Sequence, residues 1–324
     1  MVDRLATQGP SPLWLRRPAR HDAGMSTIET SRIVVGVDGS ASADRALAWA
    51  AQAAAKRGVA VDIVHAWTMP WSGRLPDLVT LEPTPYEQGA KDLLDSAVER
   101  ASHLGFHVDL RPHLVNEHPT VALLDAADTA ALLVVGSQGR GRRGHRVVGS
   151  VSQQCAAHAR HPAVVVVPEE WDRSSSGRIV VGVDGSEPSY SALHFAASEA
   201  ARWGAELDVV HAHSEPDQRA LHTGGWLPTE AAAHRDDLEK ASQRLLEDMT
   251  GPFRAGSGIG PTPASVELIS VEGDAARTLL ATAKGADLLV VGSRGLGGFA
   301  GLLLGSVSQR CLHHATCPVA VVHS

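Results

Sequence analysis

Cysteine is scarce in this sequence of 324 residues, which contains only Cys155, Cys311 and Cys317. Three cysteines cannot form a fully paired disulfide framework, and none of them belongs to a C-x-x-C pair. The scarcity therefore argues against a disulfide-stabilised fold and predicts a reducing, cytoplasmic environment. Cys155 and Cys311 take equivalent places in two repeated segments, where we interpret them as small buried hydrophobic residues.

Aromatic residues and positive charge are also in short supply. Only 4% of the residues are aromatic, and the formal net charge at pH 7 is -7. A nucleic-acid-binding protein needs a basic surface and stacking rings, so both values argue against that class. No uninterrupted apolar run of about 18 residues occurs, so no membrane-spanning helix is expected. The 44% of hydrophobic residues suffices for a buried core, and the length suits two domains of about 150 residues each.

The two halves of the sequence repeat each other. RIVVGVDGS begins at Arg32 and again at Arg178, and LLVVGS begins at Leu132 and again at Leu288. Such repetition predicts two domains of one fold, with about ten additional residues in the middle of the second. The predicted organisation is a disordered Arg- and Pro-rich extension over 1–30, a first domain over 31–168, a linker over 169–177 and a second domain over 178–324.

Short β-branched runs alternate with helical stretches in each half. In the first half, strands are predicted near 32–37, 60–65, 108–115, 132–136 and 163–167, and helices near 43–57, 87–104, 119–130 and 150–160. This alternation is typical of βαβ units, which form a parallel sheet with helices on both faces. The apolar runs IVVGV and LLVVG suit strands that are buried on both faces. The predicted fold class is α/β, with two tandem, doubly wound, mostly parallel five-stranded domains.

A glycine pattern with the spacing G-x2-G-x9-G-S follows the run LLVV in each half. It consists of Gly136, Gly139, Gly149 and Ser150 in the first half and of Gly292, Gly295, Gly305 and Ser306 in the second. Bare backbone amides between a strand and a helix N-terminus can approach phosphate oxygens, and the helix end carries partial positive charge. In doubly wound sheets, ligands bind where the strand order reverses. The pattern therefore predicts two anion-binding loops.

With these motifs the chain resembles the universal stress protein family in its tandem, ATP-binding form, over about residues 31 to 324. The resemblance implies an adenine nucleotide alpha hydrolase-like sheet with strand order 3-2-1-4-5 in each half. It also implies that the last strands, 163–167 and 319–322, lie at the seam between the halves. The implied function is regulatory: a cytoplasmic stress-response protein that binds ATP, with or without Mg²⁺, forms a homodimer and acts on an unknown protein partner.

The resemblance also implies which residues contact the nucleotide. The glycine loops would hold the triphosphate, and Asp38 and Asp184 would accept hydrogen bonds from ribose hydroxyls, a role that suits an ionised carboxylate. The backbone around His65 and His211, at the end of each second strand, would meet the adenine edge. The implied binding residues are Gly36, Asp38, His65, Gly136, Ser137, Gly139, Arg140, Gly149, Ser150, Val151 and Ser152 in the first half, and Gly182, Asp184, His211, Gly292, Ser293, Arg294, Gly295, Gly305, Ser306, Val307 and Ser308 in the second.

The two glycine loops differ in charge. The first contains Arg140, Arg142, Arg143 and Arg146, which would either neutralise a triphosphate or remain solvated. The second contains Arg294 and an apolar tip, which we expect to pack on the sheet or on the other domain and which consists of Leu296, Phe299, Leu302, Leu303 and Leu304. The Pro- and Trp-rich segment 67–86 is interpreted as a lid over the adenosine or as a surface loop.

Several other chemistries lack support in the sequence. Residues 139–144 match G-x-G-x-x-G, but the acidic residue expected about twenty positions later is missing, so a dinucleotide-binding fold is rejected. The P-loop pattern G-x4-G-K-[ST] does not occur. His211 and His213 lack acidic or cysteine partners at ligand spacing, and no metal site is predicted. Two alternatives to ATP-dependent regulation remain open: a nucleotide-independent interaction scaffold and a slow ATP-hydrolysing enzyme.

Overall fold

A computed structural model describes residues 32–69, 85–140, 148–159, 163–172, 175–213, 228–254, 263–296 and 303–324. The predicted extension over 1–30 lies outside these residues, as do Arg142, Arg143 and Arg146 of the first loop and most of the segment 67–86. Within the described ranges the chain forms ten β-strands and eight α-helices.

Strands and helices alternate through the first half. They are β1 (Arg32–Gly36), α1 (Ala41–Arg57), β2 (Ala60–Trp67), α2 (Pro85–Ser102), β3 (Leu110–Asn116), α3 (Pro119–Ala127), β4 (Leu132–Gly136), α4 (Ser150–His158) and β5 (Ala163–Val167). Helix α1 begins two residues before the predicted position 43, because the Ser40 side chain caps it by accepting a hydrogen bond from the Ala43 backbone N–H. It ends at Gly58, whose φ of 66° lies in the left-handed region that glycine favours.

The second half repeats this order with one longer helix. Its elements are β6 (Arg178–Gly182), α5 (Glu187–Trp203), β7 (Glu206–His213), α6 (Pro228–Arg254), β8 (Val266–Glu272), α7 (Ala275–Thr282), β9 (Leu288–Gly292), α8 (Ser306–His314) and β10 (Val319–Val322). Helix α6 has 27 residues where its counterpart α2 has 18, so much of the additional length of the second half is helical.

All ten strands form one sheet with the order β3-β2-β1-β4-β5-β10-β9-β6-β7-β8. Each half has the order 3-2-1-4-5 with parallel neighbours, which confirms the predicted fold class. The halves join through β5 and β10, which pair antiparallel with Val165 opposite Ala320. The antiparallel pairing of two equivalent strands relates the halves by a local two-fold axis, and it confirms that the last strands lie at the seam.

The strands that carry the apolar runs, β1, β4, β6 and β9, are buried on both faces, as their sequences predict. Ile33 and Val35 face the core beneath α1 and α2, whereas Val34 faces the core beneath α3 and α4. Each of these three side chains has 0% exposed surface. The burial of apolar surface is the main force that holds the helices on the sheet, and it contributes about 25 cal/mol for each Å² removed from water.

Helices α1 and α5 extend the seam between the halves on one face of the sheet. The rings of Trp49 and Trp203 stack there with centroids 5.9 Å apart. Next to them, Arg57 Nη2 lies 2.6 Å from Glu199 Oε1, and the Glu199 side chain is fully buried. Trp203 Nε1 donates a hydrogen bond to Glu199 Oε2 at 3.3 Å. The described part of the seam therefore combines apolar packing with a buried ion pair.

The length and composition of the helices in the described ranges show whether any of them could cross a membrane. None of them combines the length and the apolar character that a membrane crossing requires. The longest, α6, has 27 residues and a polar sequence that includes several charged side chains.

Candidate functional site

Each half has a cleft at the carboxyl ends of its strands, where the strand order reverses between its first and fourth strands. The first cleft lies between β1 and β4, has a volume of about 520 Å³ and is bounded by the N-terminus of α4. The second cleft lies between β6 and β9, has a volume of about 440 Å³ and is bounded by the N-terminus of α8. Reversal points of this kind are the usual ligand sites of doubly wound sheets.

Most of the residues predicted to bind nucleotide line these clefts. They are Gly36, Asp38, Gly136, Gly139, Gly149, Ser150, Val151 and Ser152 in the first cleft, and Gly182, Asp184, Gly292, Arg294, Gly295, Gly305, Ser306, Val307 and Ser308 in the second. Five predicted residues do not line a cleft: His65, Ser137, Arg140, His211 and Ser293.

The N-termini of α4 and α8 are open toward the clefts. Gly149 is the N-cap residue of α4 and Gly305 is that of α8, and neither helix has a side-chain cap. The first N–H groups of such a helix lack intrahelical acceptors and concentrate the positive end of the helix dipole. Ser150 and Ser306, the first helical residues, are exposed and add a hydroxyl at the same place. Each cleft thus contains a donor-rich, electropositive end.

The three glycines of each loop have different reasons to be glycine. A Cβ on Gly136 would lie 2.6 Å from the backbone carbon of Ser42, so this glycine lets α1 approach the end of β4. A Cβ on Gly139 would lie 2.8 Å from Asp38 Oδ2. A Cβ on Gly149 would lie no closer than 3.6 Å to its neighbours, among them Ser137 O. The third glycine is therefore the one that the fold does not require, and it borders open cleft.

Asp38 and Asp184 hold the glycine loops through hydrogen bonds to the loop backbone. Asp38 Oδ1 accepts a hydrogen bond from the Ser40 N–H at 3.0 Å, and Asp38 Oδ2 accepts one from the Arg140 N–H at 3.1 Å. In the second half, Asp184 accepts equivalent bonds from the backbone of Ser186 and of Leu296, at 3.0 and 2.9 Å. Each carboxylate thus links the turn after the first strand to the loop after the fourth strand.

The hydrogen bonds to Asp184 outweigh the effect of its burial. Burial is the largest single influence on the carboxyl and acts to raise its pKa, but donors from Ser186, Leu296 and Ser189 together lower the pKa below its ordinary value. Asp184 is therefore an anion under physiological conditions, and its negative charge lies beside the electropositive helix end. A carboxylate oxygen can accept more than one hydrogen bond, so capacity remains for a ligand hydroxyl.

The serines of the two loops fix the backbone. Ser152 Oγ donates to the Gly136 carbonyl, and Ser308 Oγ donates to the Gly292 carbonyl at 2.6 Å. Ser137 and Ser293 bond through their backbone N–H groups to the last strand of their own half, each at 2.8 Å. These residues tie the fourth strand, the fifth strand and the following helix into one unit, which keeps the loop in place.

The two histidines predicted near the adenine edge turn away from the clefts. His65 Nδ1 lies 2.7 Å from the Val37 carbonyl, while Val64 and Ala66 line the first cleft. Side chains alternate between the two faces of a strand. Since the residues before and after His65 face the cleft, the histidine points to the opposite face of the sheet. His211 likewise contacts Ser242 Oγ of α6, at 2.6 Å. The backbone at this place borders the cleft, but the imidazoles do not.

The arginines of the two loops occupy non-equivalent positions. Arg140 lies against Gly39, at the turn before α1, and does not line the first cleft. Its counterpart in the second half is Leu296, and Arg294, at the position of Gln138, lines the second cleft. Leu296 has 76% of its surface exposed, so this residue of the predicted apolar tip is not packed on the sheet.

An apolar wall on one side of each cleft escaped the sequence prediction. Pro119 and Leu123 of α3 line the first cleft, and Ala275 and Leu279 of α7 line the second. The Leu123 side chain packs where a Cβ on Gly36 would stand. The signal in the sequence is a leucine one turn into the helix after the third strand of each half. Within the described ranges, no group of three or more His, Cys, Asp or Glu side chains could hold a metal ion.

These features define a class of protein: a tandem of two doubly wound α/β domains, each with a glycine loop at its strand-order reversal. The sequence model of the universal stress protein family matches residues 29–167 and 176–323. The chain belongs to the universal stress protein family.

Individual relatives agree with this assignment. A universal stress protein of Mycobacterium tuberculosis is 32% identical over 302 residues, covering 89% of this chain and 95% of the relative. One from Mycobacterium bovis is also 32% identical over 302 residues, with 89% and 96% covered. The crystal structure of a universal stress protein from Archaeoglobus fulgidus superimposes with a TM-score of 0.63 at 18% identity, covering 91% of this chain and 98% of that one. At this identity the likeness concerns the fold.

Proposed function

We propose that each cleft binds one ATP and that the protein acts as a cytoplasmic, nucleotide-dependent regulator of the stress response rather than as a fast enzyme. In this proposal, the N-termini of α4 and α8 receive the triphosphate, Asp38 and Asp184 receive the ribose hydroxyls, and the apolar wall packs on the adenine. Two chains associate as a homodimer, the commonest symmetric assembly, and a protein partner reads the occupied state.

The observation that carries the proposal is the uncapped helix end bordered by a dispensable glycine, present in both halves. Gly149 and Gly305 each have room for a Cβ at ordinary contact distance, so protein packing alone does not account for glycine there. A phosphate group that approaches the backbone does account for it. The cleft volumes of about 520 and 440 Å³ fall within the range of about 300 to 1,000 Å³ that small-molecule sites occupy.

The geometry favours binding over turnover. Asp38 and Asp184 are the carboxylates that line the described parts of the two clefts, and each accepts hydrogen bonds from the loop backbone. A carboxylate held in this way is a weak candidate for proton abstraction from water. A Mg²⁺ ion would be held mainly by the nucleotide phosphates and water, as is common for this ion. Any hydrolysis would therefore be slow.

The proposal is tested by replacing the dispensable glycines. Gly149→Val should lower the ATP affinity of the first cleft by roughly 100-fold, about 2.7 kcal/mol, because the side chain fills the place of a phosphate. Gly305→Val should do the same in the second cleft. Titration calorimetry with ATP and Mg²⁺ should give two sites in the wild-type chain, one in each single variant and none in the double variant.

Gly89→Val is the matched control, since Gly89 lies in α2 and a Cβ there meets nothing within 4 Å. This variant should keep two ATP sites. Wild-type protein that binds no adenine nucleotide, either in the titration or among the small molecules released on denaturation, would refute the proposal and favour the nucleotide-independent scaffold.

A further inference from the structure

Two histidines of the second half reach across the seam to α4 of the first half. His313 Nδ1, on α8, accepts a hydrogen bond from the Val148 N–H at 3.2 Å. His323 Nε2, after β10, donates one to the Ala156 carbonyl at 2.9 Å. One contact lies just before the start of α4 and the other in its last turn. The second half thus holds both ends of the helix that borders the first cleft.

The first of these contacts acts directly on the glycine loop. Val148 immediately precedes Gly149, the N-cap residue whose neighbours form the electropositive end of the first cleft. Only 4% of the Val148 surface is exposed, so little water can replace His313 as acceptor for its N–H group. A buried donor without an acceptor is unfavourable, and the loop would shift to find another partner. The imidazole therefore fixes the position of the backbone beside the ligand.

The contact has no counterpart in the other direction. In the alignment of the two halves, Ala157 and Val167 occupy the positions of His313 and His323. Neither side chain can form a hydrogen bond, so the first half does not return these bonds to α8. Instead, Leu303 and Leu304 of the second loop border a small hollow beside α4. Among the residues that the structure describes, the first cleft thus depends on the second half in a way that the second cleft does not depend on the first.

We infer that His313 is a positioning residue for the first nucleotide site, supplied to that site by the other domain. The inference rests on the proposed function, since it assumes that the first cleft binds ATP. His313 does not touch the nucleotide; it holds the Val148 N–H and through it the loop at Gly149. A chain in which this bond is absent should bind ATP less tightly in the first cleft, and the ATP affinity of the second cleft should stay the same.

The bond also makes the first site sensitive to pH. Burial, with a smaller contribution from the neighbouring His314, lowers the pKa of His313 below its ordinary value. The ring is therefore neutral at pH 7.5 and accepts the hydrogen bond, and it loses this capacity when it takes up a proton at lower pH. The other described titratable side chains of α8 and α4 include Arg310, which pairs with Asp274, and His158, whose Nδ1 lies 2.9 Å from the Gln154 carbonyl.

The experiment isolates the first site in chains that carry Gly305→Val and measures their ATP affinity by calorimetry. His313→Ala should weaken binding roughly fivefold at pH 7.5, the effect expected from one lost hydrogen bond. His313→Asn, whose amide oxygen can accept the same bond, should stay within about twofold of the parent. The matched control is His314→Ala, since His314 is the adjacent, exposed histidine, and this variant should also stay within about twofold.

A pH series separates the hydrogen bond from general packing. Between pH 7.5 and pH 5.5 the parent should lose up to roughly fivefold more affinity than the His313→Asn variant, because the His313 imidazole can take up a proton and the asparagine amide cannot. In chains that carry Gly149→Val instead of Gly305→Val, the His313 variants should leave the affinity of the second site unchanged.

Each outcome bears on the inference. Equal losses in the Ala and Asn variants, unchanged affinity in the Ala variant, or parallel pH profiles in the parent and the Asn variant would overturn it while leaving ATP binding intact. Absence of ATP binding in the wild-type chain would instead remove the proposed function, and the inference with it.

Discussion

Single residues decide what each glycine loop can do. Within one G-x2-G-x9-G-S pattern, Gly136 makes room for the backbone of α1, Gly139 makes room for Asp38, and Gly149 borders open cleft. The spacing alone treats these three positions as one motif, but the packing requires glycine at two of them and not at the third, which borders the proposed ligand cleft. Asp184 has a comparable double character, because it lines the proposed ligand cleft and also anchors the loop.

The role of Asp184 in the fold can be measured through pH. Since its pKa is lowered in the folded state, the ionised carboxylate stabilises the fold above the ordinary carboxyl pKa of about 4, and this stabilisation is lost as the pH falls through the lowered value. Asp184→Asn should lower the free energy of unfolding by roughly 1–2 kcal/mol at pH 7. It should also flatten the loss of stability between pH 5 and pH 3, as followed by urea denaturation.

Asp95→Asn, a change at an exposed position of α2, is the control and should leave both the stability at pH 7 and its pH dependence close to wild type. An Asp184→Asn protein with the wild-type acid profile would contradict the role assigned to this carboxylate.

At the scale of elements, the site depends on how closely helices approach strand ends. Helix α1 starts at the turn after β1, and its first turn contacts the end of β4. The backbones of the two strand ends, of the helix and of the glycine loop therefore lie close together. The Ser152 hydroxyl and the Gly136 carbonyl tie α4 to the same place. The cleft therefore keeps its shape through close backbone approaches and through hydrogen bonds from side chains such as Ser152 to the backbone.

Gly136→Ala tests this close approach. The added Cβ would lie 2.6 Å from Ser42 atoms, and relieving such a clash should lower the free energy of unfolding by about 2 kcal/mol. Gly149→Ala, at the other end of the same loop, should change it by no more than about 0.5 kcal/mol. Thermal and chemical denaturation of the two variants would reveal the difference, and equal destabilisation would argue against the separate roles given to these glycines.

At the scale of the whole molecule, the seam joins two similar domains in an arrangement that is not fully symmetric. The strands β5 and β10 pair symmetrically, but the side chains around them do not repeat. Glu199 of α5 lies fully buried against Arg57 of α1, and burial lowers the pKa of Arg57 despite the opposing attraction of Glu199. The two charges belong to different halves, so the pair helps to define how the halves face each other.

Breaking this pair should be far more harmful than removing it entirely. Glu199→Met leaves the Arg57 guanidinium buried without its partner and should lower the free energy of unfolding by about 3–5 kcal/mol. The double change Arg57→Met with Glu199→Met should recover most of that loss, because apolar side chains of similar length can fill the space. A double-mutant cycle by urea denaturation measures both effects, and a double variant less stable than Glu199→Met would disprove the argument.

The sequence by itself determined the repeat, the strand positions, the α/β class and the glycine loops, because periodicity, capping residues and fixed spacings are local properties of the chain. Only the tertiary structure decided that His65 and His211 face away from the clefts, that Asp38 and Asp184 hold the loop backbone, and that His313 reaches the first loop from the other half. Such contacts join residues far apart in the chain, and the antiparallel pairing of β5 with β10 and the packing of helices on the sheet determine which side chains meet.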